Sequence, residues 1–280
     1  VGSEMCIRDR YNTYSFLALY ANVDGFDPET MLNQGNLAER PEIDRWIISK
    51  ANSLIINVCK QLNDYDPTRA GRLIDNFVND DLSNWYVRLN RKRFWGKEMD
   101  SDKLNAYQTL YSCLMTVAKL VAPFAPFYAD RLYHDLGGKM ESVHLESCPV
   151  ADTEAIDAEL EARMDIAQKI TSMTLALRRK VNIKVRQPLA QLMIPAIDDK
   201  QKQRICAVKD LIKNEVNVKE VNFVENSGFL VKKVKCNFRV MGKKFGKLEV
   251  VNDQCGNPTN AVDLAHEILQ LCVTHEYGLY

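Results

Sequence analysis

Between Asp80 and Trp95 the chain reads DDLSNWYVRLNRKRFW, acidic at its start, aromatic in its middle and basic at its end, with Arg88, Arg91, Lys92, Arg93 and Lys97 around Trp95. On a helix, Arg88, Arg91, Lys92 and Trp95 fall at i, i+3, i+4 and i+7, so three cations and an indole share one face. Such a face suits a nucleic acid. Cations neutralise phosphates and release counterions, while an aromatic plane offers a platform for an unstacked base. The same spacing also fits a solvated basic face whose Trp95 caps the bundle. A second acid-free run, Arg178, Arg179, Lys180, Lys184 and Arg186, flanks the same groove or complements the negative end of its own helix.

Helices must position these groups. Apolar residues keep the 3.6 period from Pro41 to about Asn63, with Pro41 suited to a first turn. Asp66-Pro67 reads as an N-cap and first helical residue, opening a helix whose stripe includes Leu73, Ile74, Phe77, Val78, Leu82, Trp85, Tyr86 and Leu89. Trp85 and Tyr86 are therefore assigned to the core. A third helix runs from Leu104 to near Pro123, and a short one ends at Gly137-Gly138. After an extended SVHLESCP link, Ile156, Leu160, Ala167, Ile170, Leu177 and Val181 mark a long helix running toward Lys184. The expected fold class is mainly α, an antiparallel helical bundle followed by a small α+β domain. In the latter, Leu189 to Ile194 is short and apolar after a Pro, residues 200 to 214 are helical in pattern, Val216 to Val224 alternates as a strand does, and Val234 to Val240 reads as a strand with one buried and one cationic face.

Composition narrows the function less. Lys+Arg and Asp+Glu both count 37, so a nucleic-acid surface must come from local segregation of charge rather than a global field. The eight cysteines, at 6, 59, 113, 148, 206, 236, 255 and 272, form no C-x-x-C and have no His at finger spacing. Most sit inside apolar patterns and read as buried thiols in a reducing cytosol, with no metal site, and their spacing argues against a metal or redox module. No apolar stretch approaches the roughly 18 to 20 residues of a membrane span. A Gly-rich phosphate loop, H-E-x-x-H and G-x-S-x-G are all absent, and His134, His144, His266 and His275 are isolated. His144 is assigned a structural hydrogen bond. Asp80 and Asp81 diverge by about 100° on a helix and are assigned to caps or salt bridges with nearby arginines rather than to acid–base chemistry.

The DDLSNWYVRLNRKRFW run, with DRWIISKANSLI at 44–55, KLVAPFAPF at 119–127, SVHLESCP at 142–149 and VNIKVRQPL at 181–189, resembles the anticodon-binding region of isoleucyl-tRNA synthetases. YNTYSFLALYANVDGF at 11–26 is similar to the segment that follows the catalytic core in that family, and NFRVMGKKFGKL at 237–248 to its C-terminal region. Valyl and leucyl enzymes share the bundle and part of the Asn-Trp-Tyr signature, so the equivalent region of one of those is an alternative, as is a helical scaffold that binds acidic proteins.

The resemblance implies a domain order: 1–10 a non-native leader, 11–40 a connector after a missing catalytic core, 41–186 the helical anticodon-binding bundle, 187–248 the small C-terminal domain, and 249–280 unassigned. It also implies a parent ligase that joins isoleucine to its tRNA with ATP and Mg²⁺. This portion lacks HIGH-type and KMSKS-type motifs, so it is expected to be inactive alone and to hold no cofactor. Its expected partners are isoleucine tRNA and the catalytic core of the same polypeptide, in a cytoplasmic monomer with no membrane contact. The RNA-binding residues implied are Arg88, Arg91, Lys92, Arg93, Trp95, Arg178, Arg179, Lys180, Lys184 and Arg186.

Overall fold

The computed structural model describes residues 2–32, 37–96, 98–195 and 199–224, with side chains from Tyr11 to Phe223 within those ranges. Lys97, the strand expected at Val234–Val240, the 237–248 run and the 249–280 segment lie outside the described residues. The chain opens with α1 (Gly2–Asp24), which continues without a break through the Tyr11 junction. VGSEMCIRDR shows no helical period of its own. With no proline to stop it, however, a helix already formed downstream extends back to Gly2, since propagation is far less costly than nucleation. Gly25, at φ +68°, ends α1 in the left-handed conformation that glycine adopts most easily, and Phe26 N–H reaches back to the Ala21 carbonyl.

α2 (Pro28–Met31) is capped by Asp27, and a single 3₁₀ turn at Leu37–Glu39 leads to α3 (Glu42–Asn63). Pro41 sits one residue earlier than expected, at the cap rather than in the first turn. Asp66 caps α4 (Pro67–Asn76) by accepting from Arg69 N–H at 3.0 Å. That helix passes directly into an eleven-residue π-helical stretch, Phe77–Val87, and then into α5 (Arg88–Phe94), with right-handed helical backbone at both joins. α6 (Ser101–Val121) and α7 (Pro126–Asp135) follow. Gly137 stops α7 at φ +78°, and a Cβ on Gly138 would collide with the Tyr133 ring.

A strap then crosses back through a 3₁₀ turn, Val143–Leu145, to α8 (Ala158–Lys180), whose first-turn amides are capped by Asp157. α3, α4, the π stretch, α6 and α8 enclose one apolar core in which Trp46, Ile74, Leu82, Tyr86, Leu110, Leu114 and Leu160 are fully buried. Trp85 is buried at 5% exposure, as its stripe predicts. Phe94 meets Phe16 of α1 and Tyr107 of α6 edge-on, at ring-centroid distances of 5.1 and 5.0 Å, tying the first helix to the bundle.

The long helix departs from expectation in its facing. Leu177 and Val181 are each 61% exposed, and the buried line is Leu160, Met164, Ala167, Thr171, Thr174 and Arg178. After α8, β1 (Leu189–Pro195) and β2 (Val218–Val224) pair in parallel, with Leu189 opposite Val218 and Ile194 opposite Phe223. α9 (Asp199–Ala207) and α10 (Lys209–Val216) make the crossover that parallel strands require. Both helices pack on α8, so the boundary expected at residue 186 is not a break in packing. Among the described residues, no helix is long and apolar enough to cross a membrane.

Candidate nucleic-acid interface

Each basic run turns one arginine inward. Arg93 makes a two-pronged pair with Asp44 of α3, both contacts at 2.8 Å, and binds the Asp102 carboxylate at the start of α6 through Nε and Nη2. Asp44 is fully buried and also accepts from the Tyr86 hydroxyl at 2.7 Å. Burial pushes the Tyr86 phenol well above its ordinary value, and the Asp44 charge adds to that. Arg178, at 2% exposure, donates to four carbonyls: Lys184, Gln187, Val216 and Asn217, at 2.8 to 3.2 Å. These two side chains were expected to meet RNA. The Arg93 guanidinium and the two terminal nitrogens of Arg178 instead donate inside the protein, so Arg93 and Arg178 are braces.

The remaining cations are exposed: Arg88, Arg91 and Lys92 on α5, Arg179 and Lys180 in the last turn of α8, and Lys184 and Arg186 just beyond it. A cleft of about 790 Å³ runs between the Pro67–Phe94 helix and α8, with Asn84, Trp85 and Arg88 on one wall and Lys169, Ser172 and Arg179 on the other. A second groove, of about 290 Å³, shares Leu175 and Arg179 with it and continues to Asn182, Lys184 and Val185. The two basic runs therefore do flank one groove, through Arg88, Arg179 and Lys184.

Within the cleft, the Arg88 guanidinium lies 5.7 Å from the centroid of the Trp85 ring, donates from Nε to the Asn84 carbonyl at 2.9 Å, and pairs with Glu215 of α10. Asp80 is an acid on the same wall. Asp81, next to it, pairs with no arginine among the described residues; it accepts from Gln168 of α8 at 2.9 Å, and burial raises its carboxyl above the ordinary value.

Arg91 and Lys92 do not line this cleft, so the α5 face divides. Trp95 follows α5 at 58% exposure, and its indole N–H donates to the Tyr20 hydroxyl of α1 at 2.7 Å. The ring is thus anchored by one edge and open elsewhere. Sequence reasoning missed Lys169, although a signal existed: Lys169, Ser172, Met173, Ala176 and Lys180 recur at i, i+3, i+4, i+7 and i+11, the face opposite the buried line of α8. It also missed Glu215, 127 residues from Arg88, which no local pattern marks. Among the described residues no group of three or more His, Cys, Asp or Glu is placed to hold a metal ion.

Comparison with known proteins bears on what this groove meets. The family described as "Anticodon-binding domain of tRNA ligase" matches residues 44–194, which include both walls of the cleft. The chain is similar to the isoleucine–tRNA ligase of Bacteroides thetaiotaomicron, 63% identical over 243 residues, covering 85% of this chain and 21% of the relative. It is 60% identical over 239 residues to that of Porphyromonas gingivalis, with the same coverage of each chain. The enzyme of Dehalococcoides mccartyi strain 195 is 44% identical over 226 residues, covering 79% of this chain and 22% of the relative. The chain thus spans about a fifth of the length of the curated relatives it matches. On the match across its helical core, the chain belongs to the family of the anticodon-binding domain of tRNA ligases.

Proposed function

We propose that the cleft between the Pro67–Phe94 helix and α8 holds the anticodon stem and loop of an isoleucine tRNA. The observation that carries this reading is the convergence of Arg88, Lys169 and Arg179, from helices far apart in sequence, on one open cleft within the family match. Lys184 extends the positive wall, and the exposed Trp95 ring offers a stacking surface at the far end of α5. The role is positioning: binding energy gathered remote from the reacting end aligns that end with a catalytic site elsewhere.

The names of the relatives support a parent that joins isoleucine to tRNA. ATP and Mg²⁺ would serve its catalytic core, in the cytoplasm. The motifs that would bind ATP do not occur in these 280 residues, and no chemical step is assigned to them.

Filter binding of the chain to isoleucine tRNA, a non-cognate tRNA and heparin tests the proposal. Isoleucine tRNA is expected to bind most tightly, and Lys169→Ala or Arg179→Ala to lower the slope of log K against log salt by about 0.7 to 0.9 each. Equal binding to all three polyanions would favour a generic acidic partner. An unchanged slope in both folded variants would move the RNA surface out of this cleft.

A further inference from the structure

Cys59 on α3 and Cys148 in the strap are 89 residues apart in sequence, yet their Sγ atoms lie 3.6 Å apart. Cys148 is exposed and Cys59 half-buried behind it. The strap is fastened on both sides of Cys148. Glu146 pairs with Lys119 at 3.1 Å and accepts from the Tyr133 hydroxyl at 2.5 Å, while Asp152 N–H donates to Asn52 of α3 at 2.8 Å. The two thiols are thus held together by contacts that do not involve sulfur, which gives each a high effective concentration toward the other. Forming the bond, about 2.05 Å long, needs roughly 1.5 Å of further approach. The other two cysteines with described side chains offer a contrast. Cys113 is buried, its thiol pushed up to about 12 by desolvation, and Cys206 is exposed but stands apart.

We propose that Cys59 and Cys148 form a dithiol modification site that takes a small-molecule disulfide as its oxidant. The accessible Cys148 thiolate attacks one sulfur of the small disulfide, forming a mixed disulfide and expelling one thiolate. Cys59, as its thiolate, then attacks Cys148 Sγ and expels the second. The protein dithiol loses two electrons and two protons; the small disulfide gains both and leaves as two thiols. The product fastens α3 to the strap covalently and closes a long loop, constraining the unfolded chain more than the folded one.

The test treats the full chain with glutathione disulfide at mildly alkaline pH, since burial and the Cys59 sulfur raise the Cys148 thiol. Remaining thiols are then alkylated and the protein is digested for mass spectrometry. A cross-linked Cys59–Cys148 peptide is expected, two hydrogens lighter than its reduced parts. The unfolding midpoint is expected to rise by on the order of 5 °C and to fall back with dithiothreitol. In Cys59→Ser the reaction is expected to stop at a single glutathione on Cys148. Cys148→Ser, an exposed position, guards against a folding artefact and should leave Cys59 unmodified over the same time. Wild-type protein that stops at the mixed disulfide, or forms this cross-link only after denaturation, would overturn the proposal.

Discussion

The two basic runs solve the same problem with different chemistry. In the first, the inward arginine meets two carboxylates from other helices; in the second, it meets only backbone carbonyls, in the loop after its own helix and at the C-terminal end of α10. Arg93 thereby balances a buried charge. Arg178 balances none and instead satisfies acceptors that helix and strand ends leave open. The difference shows that counting cations in a sequence overstates the surface available to RNA, and that what each inward cation costs to remove depends on what it leaves behind.

Removing Arg93 should therefore have the largest effect. Arg93→Ala leaves Asp44 buried without its cation, and breaking a buried pair in this way costs about 3–5 kcal/mol. Chemical denaturation should show the loss at any salt concentration, because the pair is screened from solvent. Arg178→Ala should cost less, about 2–3 kcal/mol, since charge-assisted bonds to neutral carbonyls are lost and no charge is stranded. Hydrogen exchange in that variant should rise in β1 and β2 before it rises in α3. Equal losses for the two variants would erase the distinction.

Smaller effects sharpen the outward half of the comparison. If the cleft takes RNA, Glu215 competes with phosphate for Arg88. Glu215→Gln should then tighten tRNA binding about two- to five-fold at low salt, as release of a part-exposed ion pair allows, and the gain should vanish in an Arg88→Ala background. The smallest effect is expected at Asp81. Its folded-state pKa lies above the unfolded one through burial, so the stability it contributes is full below the unfolded value and is lost as pH rises through the folded value. Asp81→Asn can still accept from Gln168 and has no charge to desolvate. Its melting point should exceed that of wild type at pH 7, and the gap should close toward pH 3.

Much of the frame was legible because local chemistry dictates it. Asp66-Pro67 opens a helix because a carboxylate and a proline suit its first positions, and Gly137 ends one because it takes positive φ readily. Trp85 was placed in the core by its stripe, and the structure buries it there. The facing of α8 was not legible. Its buried line includes Thr171, Thr174 and Arg178, and a hydrophobic pattern counts such residues as solvent-facing. For the same reason Arg93 and Arg178 read as surface: what draws them inward is chiefly a set of partners on other segments, up to 49 residues away. The shared groove was open in the sequence as one of two readings, and only the packing of α8 beside the π stretch brings Arg88 and Arg179 to it.

The π-helical stretch has a consequence for which mutations this lineage can tolerate. Side chains there rotate less per residue than on an α-helix, so its eleven residues set the angle at which α5 emerges. Losing or gaining one residue between Phe77 and Val87 would swing everything after it by one residue's rotation, somewhat under the roughly 100° of an α-helix. Arg93 would then leave Asp44, and its place would fall to Lys92 after a gain or to Phe94 after a loss. Selection should accept many substitutions at outward positions such as Asn84, yet reject insertions and deletions throughout the segment, which makes its length a more heritable property than its surface composition.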